Sequence, residues 1–369
     1  MQPLDGVCVL DFSTLLPGPM CTLLLAEAGA DVIKIERPVT GDDMRGYEPK
    51  LGADSVNFAL LNRGKKSITA NLKDADDLAA IKQLIAKADV IVEQFRPGVM
   101  ARLGLGFEDV CKINPKIIYC SITGFGQYGP LSQIAAHDLN YQAEVGMLSL
   151  TSDDHGKPTI PPTLTADLAG GAYPAVMNIL LALRQRDLDG QARHLDIAMA
   201  DNLFTLMYWG LGNGLAAQQW PKQGGELVTG GSARYQIYRT SDGQFLATAP
   251  IEDKFWYTFL TLIDLPELKN SGVMAPVRET IANKFKSQTL AHWLQVFEGH
   301  DVCVSEIKPL ASSLDNPHFA ARGVFNQTVS NTAGLTVTAL PVPIDPAFRA
   351  SASNLGTPAL GENTQEILG

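Results

Sequence analysis

The strongest constraint on the fold lies in the first forty residues. Gly6 to Phe12 (GVCVLDF) is a short apolar run of strand character, and Ser13 to Pro19 (STLLPGP) breaks it. Met20 to Ala28 reads as a helix, Gly29 stops it, and Asp31 to Glu36 (DVIKIE) is a second strand. Strand, turn, helix and strand in that order make a βαβ unit, which implies parallel strands. The alternation continues. Asp74 to Ala88 carries Leu78, Ile81, Leu84 and Ile85 at helical spacing, and Val90–Glu93 and 117–122 supply further strands. The expected fold class is α/β, with a doubly wound parallel sheet in a large domain.

Further along, 170–184 reads as a long apolar helix, 191–197 as a strand and 198–209 as another helix. Pro221 to Ser232 (PKQGGELVTGGS) is poor in apolar residues and rich in glycine, so it reads as a linker or mobile loop. Tyr235–Tyr238 and Phe245–Thr248 flank the turn Ser241-Asp242-Gly243 as a hairpin, and helices follow near 253–263 and 289–298. From Thr338 the chain is rich in proline and small residues, an extended return strap. The expected division is a large domain over 1–200 completed by the strap 338–369, a linker over 201–225, and a smaller α+β domain over 226–337.

A chain of 369 residues is long enough for two domains, and 46% hydrophobic with 18% charged residues describes a well-buried globular protein. The net charge of −10 argues against general nucleic-acid binding, so an anionic ligand must be met by a local basic cluster. The five cysteines (Cys8, Cys21, Cys111, Cys120, Cys303) have no CxxC spacing and read as reduced core thiols. Met-Gln-Pro-Leu-Asp lacks the features of a secretion signal, and no run has the length and composition of a membrane span. A cytoplasmic protein is expected.

A dinucleotide-binding enzyme is the nearest rival for the N-terminal unit. Glu36 ends the second strand, where an acid could hold a ribose. The first turn, however, is Leu16-Pro17-Gly18-Pro19-Met20, which lacks GxGxxG, and its prolines remove N–H groups that a pyrophosphate cradle uses. The basic residues are more telling. Arg37 and Arg96 each follow a predicted strand, at the carboxyl edge where open α/β sheets bind ligands. Arg63, Lys65, Lys66 and Arg102 add to them. Several cations at such an edge suit a multiply phosphorylated ligand.

Ala136-His137-Asp138-Leu139-Asn140-Tyr141 supplies a histidine, and Thr165-Ala166-Asp167-Leu168 supplies a carboxylate 30 positions later, just before Gly170-Gly171. An imidazole and a carboxylic acid on opposite faces of one carbon can remove a proton from one side and return it on the other. For that, Asp167 must hold a proton near neutral pH, which its neighbours Leu164, Ala166, Leu168 and Ala169 would favour by their apolar character. Helix-end N–H groups near Gly170-Gly171 or at Asp138 could stabilise an enolate oxygen. Read alone, Asp167 could equally be a plain N-cap, Glu252 a surface acid, and Tyr141 a core residue. Asp196 and Asp201 read as caps, and Asp153-Asp154 as a turn. The other histidines, including His194, read as structural. Leu206 to Trp209 read as core or as an acyl path.

The segments PLDGVCVLDFSTLLPGPMCTLLLAEAGADVIKIERP, NRGKKSITANL, EQFRPGVMARLGLG and SITGFGQYGP resemble the family III CoA-transferase and α-methylacyl-CoA racemase superfamily. The resemblance covers nearly the whole chain, weakening after about Gly323. It implies CoA thioester substrates, interlocked homodimers and active sites shared between subunits, with no metal or organic cofactor. It also implies that Arg37, Arg63, Lys66 and Arg96 meet the CoA, with Asp138 and Tyr141 nearby. Both branches place an acid where Asp167 stands. It is a nucleophile in the transferases and half of an acid/base pair in the racemases, where the partner matches His137. HDLNY and the segment APIEDKFW around Glu252 resemble the racemase branch, in which the matching glutamate bonds the catalytic histidine. The loop Gly230-Gly231-Ser232-Ala233-Arg234-Tyr235 departs from the alanine-proline pair that racemases often carry there. The expectation is a 2-methylacyl-CoA racemase. The alternatives are a family III CoA-transferase using Asp167 as nucleophile, and a non-catalytic acyl-CoA-binding protein.

Overall fold

The computed structural model describes residues 1–153, 155–349 and 354–369. Asp154, half of the expected acidic turn, and residues 350–353 of the expected strap lie outside them. Two compact units emerge. The larger comprises 1–145, 161–206 and 317–369, and the smaller comprises 146–160 and 207–316.

The larger unit is built on six parallel strands: β1 (Cys8–Asp11), β2 (Asp31–Glu36), β3 (Lys66–Thr69), β4 (Val90–Glu93), β5 (Ile118–Thr123) and β6 (Arg193–Ala198). Their order is 3-2-1-4-5-6, so the sheet winds outward in both directions from β1. Helix α1 (Pro17–Glu27) makes the first crossover. It begins three residues earlier than the apolar pattern suggests, because prolines at Pro17 and Pro19 are tolerated in a first turn. Helix α2 (Ala75–Ile85) is capped by Asp74, whose carboxylate accepts from the N–H groups of Asp76 and Asp77. Helices α3 (Phe107–Ile113) and α4 (Asp138–Glu144) follow.

One long helix, α5, runs from Ala166 to Asp189. The sequence pattern started it after the glycine pair, but it includes Asp167 and both glycines. It is long and apolar enough, by composition, to cross a membrane, contrary to the sequence reading. Its buried positions Ala175, Ile179, Ala182 and Leu183 turn inward, while Met177, Leu181 and Leu188 are exposed.

The β1–α1 turn at the carboxyl edge is held by buried charges. Asp11 accepts from Ser13 Oγ and Thr22 Oγ1 and pairs with Lys65, while Lys34 donates to Ser13 O and pairs with Asp42 at 3.0 Å. Burial alone would raise the Asp11 carboxyl, but Lys34 and Lys65 hold it at about 2. Asp42 accepts the N–H of Leu15, whose φ of 62° is unusual for a side chain of that size. The network therefore sets where Leu15 stands. Glu36 belongs to the same region. It binds Arg45, Ser67 Oγ and the Asp42 N–H, and so has no capacity left for a ribose.

Towards the chain's end, β11 (Thr336–Thr338), which ends where the expected strap begins, and β12 (Asn354–Gly356) within the strap flank β10 (Thr328–Ser330) in a small sheet. Asn363 and Thr364, at the start of α11 (Thr364–Leu368), then bond Ser67 and Thr69 of the edge strand β3, which covers an otherwise open sheet edge.

The smaller unit has a three-stranded antiparallel sheet of β7 (Gln236–Arg239), β8 (Phe245–Thr248) and β9 (Val304–Glu306), in which β7 and β8 form the expected hairpin and β8 is the central strand. Helices α8 (Asp253–Leu262), α9 (Ala275–Phe285) and α10 (Leu290–Phe297) enclose an aromatic core of Trp256, Phe259, Phe285 and Trp293. The expected linker 201–225 is largely helical: α6 (Met199–Leu206) belongs to the larger unit and α7 (Tyr208–Ala217) to the smaller. Leu206, Tyr208 and Trp209 are exposed, not core. All five cysteines are free, and Cys303 is exposed, unlike the buried Cys21 and Cys120.

Candidate active site

Asp167 sits where α5 begins. Residues Ala166–Ala172 have π-helical geometry, a local widening that often marks functional positions. Asp167 is therefore inside a first turn and is not an N-cap. A side chain at Gly170 would collide with the carbonyl oxygen of Met199, so glycine is what lets α5 lie against the start of α6. Gly170 and Gly171 are buried in that contact. This corrects the expectation that the pair presents N–H groups to an enolate.

The N–H groups at the head of α5 already have an acceptor. Asp138 Oδ1 accepts from Ala166 N at 2.7 Å and from Asp167 N at 3.2 Å, and its Oδ2 accepts from Gln142 Nε2 at 2.6 Å. Asp138 is buried. The sequence reading put it beside the CoA; its carboxylate instead ties α4 to α5 and positions Asp167. His137 is the residue just before α4. Its backbone N–H donates to Asn140 Oδ1 at 3.0 Å, which leaves the imidazole exposed at the helix entrance.

His137 and Asp167 line one cavity of about 380 Å³, together with Leu15, Pro17, Tyr141 and Met199. Tyr141 is buried, and its hydroxyl donates to Ala136 O at 2.8 Å. Its ring occupies the space that a side chain at Gly124 would need. Burial, then the charge of Asp138, pushes the Asp167 carboxyl up to about 7. No hydrogen bond or ion pair to that carboxyl exists among the described residues, so nothing offsets the desolvation. The effect was expected from apolar neighbours, but its source differs. Leu164 is exposed, and the walls come from residues distant in sequence.

The cations separate into two groups. Arg37 and Arg96 both stand at the carboxyl edge, as the strand pattern predicts. Arg37 donates to Gly41 O, pairs with Asp43, and lines a second cavity of about 570 Å³. Lys73 and Asn71 line the same cavity and were missed by the sequence reading. Both closely follow β3, so the rule that singled out Arg37 and Arg96 would have found them. Arg96 is exposed, lines the cavity of His137 and Asp167, and has no ion pair among the described residues.

Arg63 and Lys66 do not join them. Lys66 is the first residue of β3 and pairs with Asp31, the first residue of β2, so it lies at the amino edge, the opposite end of the sheet. Arg63 is fully buried. It pairs with Glu27 at 2.8 Å and donates to Leu60 O and Leu340 O. Both are corrections to the expected set of CoA contacts. Arg63→Ala leaves Glu27 as an uncompensated buried charge and is expected to lower stability by about 3–5 kcal/mol. Urea titration measures that loss, and CoA affinity of the folded variant should be unchanged.

Glu252 lies in the smaller unit, exposed, immediately before α8. Its neighbourhood is ordered by Arg234, which donates to Ile251 O and pairs with Asp253 at 2.7 Å. Within the glycine-rich loop, Ser232 and Ala233 are buried, and Gly231 packs against the backbone of Gly225.

The profile of CoA-transferase family III matches residues 4–364. The chain belongs to CoA-transferase family III. Its relatives within the family carry two kinds of name. Human succinyl-CoA:glutarate CoA-transferase is 34% identical over all of this chain and 86% of its own length. Mouse alpha-methylacyl-CoA racemase is 33% identical over 99% of this chain and 92% of its own length. Among solved structures, a CaiB/BaiF family protein from Brucella suis superposes with a TM-score of 0.81 at 30% identity, covering 99% of this chain and 98% of its own. A hypothetical protein from Mycobacterium tuberculosis gives 0.84 at 28% identity, over 100% and 99% of the two chains. The family III fold thus carries either an acyl-CoA racemase or a CoA-transferase.

Proposed function

We propose that this family III protein epimerises 2-methylacyl-CoA thioesters by acid/base exchange at the α-carbon. The observation that carries the reading is one cavity faced by both His137 and Asp167, with the Asp167 carboxyl raised to about 7. Neutral His137 takes the α-proton from one face and leaves an enolate. The carboxylic acid of Asp167 delivers its proton to the other face, ending ionised while His137 ends protonated. The reverse reaction starts from the exchanged protonation states. Arg37, Arg96 and Lys73 would meet the CoA phosphates, and the step needs no metal or organic cofactor.

A second reading is a CoA-transferase with Asp167 as nucleophile, which the names of several relatives support. That role calls for an ionised carboxylate, whereas the environment of Asp167 favours its neutral form. A 2-methylacyl-CoA in heavy water separates the readings. The racemase exchanges the α-proton for deuterium with no acceptor acid present. CoA movement only on addition of a free carboxylate would overturn this in favour of the transferase, and neither reaction would leave a binding protein.

We also propose a homodimer in which the partner supplies Glu252 to orient His137. Exposed apolar side chains such as Met177 and Leu181 on α5, and Tyr208 and Leu215 on α7, support a covered surface. Sedimentation equilibrium is expected to give a dimer at assay concentrations; an active monomer would remove the claim.

A further inference from the structure

A smaller cavity of about 250 Å³ lies behind the turn that carries Arg96, and the acid/base chemistry above does not use it. Its polar lining includes Glu93, Ser121, Gln127 and His194. Sheet register explains their grouping. Glu93 of β4 stands opposite Ser121 of β5, which stands opposite Asp196 of β6. Side chains opposite one another in register share a face. Ser121 Oγ lies 3.0 Å from His194 Nε2 and also bonds Glu93, and the His194 ring stacks on Phe107 of α3. The row Glu93–Ser121–His194 is thus a continuous hydrogen-bonded chain under α3.

Glu93 reaches beyond its strand. It is buried, and its Oε2 accepts the N–H of Phe95 at 2.8 Å, which closes the turn leaving β4. Gln94 in that turn accepts the N–H of Gly18 at 3.0 Å. Arg96 comes next. It lines both this cavity and the one holding His137 and Asp167.

We infer that Glu93 is a positioning residue: it fixes the turn that presents Arg96 to the CoA, and when ionised it draws the Arg96 guanidinium back toward the small cavity. This rests on the proposed acyl-CoA reading of Arg96. Burial, with the charge of Asp196 adding to it, pushes the Glu93 carboxyl up to about 7, against the hydrogen bonds from Ser121 and the Phe95 N–H. The polar and charged groups around its cavity include Arg96 on its own turn, Glu108 and Asp109 from α3, Tyr119 and Ser121 from β5, and His194 from β6, and Asp196 of β6 acts on it by its charge. Below pH 7, neutral Glu93 keeps its bonds to Ser121 and the Phe95 N–H but carries no charge to attract Arg96. Above it, the ionised carboxylate competes with the CoA phosphates for the guanidinium.

The test measures the Kd of the full-length protein for CoA by isothermal titration calorimetry at pH 6 and pH 8.5. Glu93→Gln keeps an acceptor for Phe95 but cannot ionise. It is expected to match the wild type at pH 6 and to bind about fivefold tighter at pH 8.5, a comparison in which titration of CoA itself cancels. Glu93→Ala removes the acceptor and should bind about tenfold more weakly at both pH values. In an Arg96→Ala background the same change should cost less than about twofold, because a residue acting through Arg96 has nothing left to position. Equal affinities of wild type and Glu93→Gln at pH 8.5, or a full Glu93→Ala penalty without Arg96, would overturn the inference. If Arg96→Ala alone leaves CoA affinity unchanged, the acyl-CoA reading of Arg96 fails first, and the inference with it.

Discussion

Replacing His137 with alanine is expected to lower racemisation of a 2-methylacyl-CoA by about 10²–10⁴-fold while leaving CoA binding in place. His137 is exposed at the entrance to α4, so its truncation leaves the core intact. The loss should therefore appear in kcat, with KM and the circular dichroism spectrum unchanged. Interactions made only along the reaction path behave in that way. Full racemase activity in a correctly folded variant would overturn the two-base reading. Loss confined to transfer onto an added carboxylate would favour the transferase.

Asp167→Asn should show a handed effect. Asparagine keeps the shape but can neither deliver nor accept the proton, so inversion is lost. His137 can still remove the proton that faces it and return a deuteron to the same side. One enantiomer should therefore exchange with heavy water far faster than the other, and His137→Ala should show the opposite preference. The expected handedness is that the S substrate exchanges through His137 and the R substrate through Asp167. NMR of each enantiomer in heavy water reads both rates. Equal loss from both enantiomers in both variants would remove the face assignment.

The same variant should also change stability with a definite sign. The folded Asp167 carboxyl titrates at about 7, against 3.8 as its ordinary value. Between those values the folded chain holds more protons than the unfolded one, so this group lowers stability as pH rises from about 4 to 7. Asp167→Asn removes that dependence. The variant should melt above the wild type at pH 8 and close to it at pH 4. The cost of a desolvated carboxyl with no cation beside it is what keeps a proton available at neutral pH.

Much of this could be read along the chain. The βαβ pattern over 6–36 implied parallel strands, and the strand ends at Glu36 and Glu93 put Arg37 and Arg96 at one edge. His137 and Asp167 were singled out by residue type and by the motifs around them. Other assignments needed the fold. Arg63 and Lys66 are near neighbours in sequence, yet one is sealed against Glu27 and the other lies at the amino edge. A string of basic residues does not reveal which end of a strand each occupies. Asp138 looked like a ligand contact because it follows His137. Its role depends on two N–H groups 28 and 29 residues away.

The sequence by itself determined the strands of the large sheet, their first crossover helices and their parallel winding, because hydrophobic periodicity and turn residues are local properties. It also determined which groups could move a proton, because that is a property of side-chain chemistry. The tertiary structure decided which of those groups share a cavity and how their protons are held. Burial, register across β4, β5 and β6, and the approach of α5 to α6 through Gly170 bring together residues far apart in the chain. Desolvation depends on that three-dimensional surrounding, so the raised Glu93 carboxyl, and the source of the raised Asp167 carboxyl, emerged only from the fold.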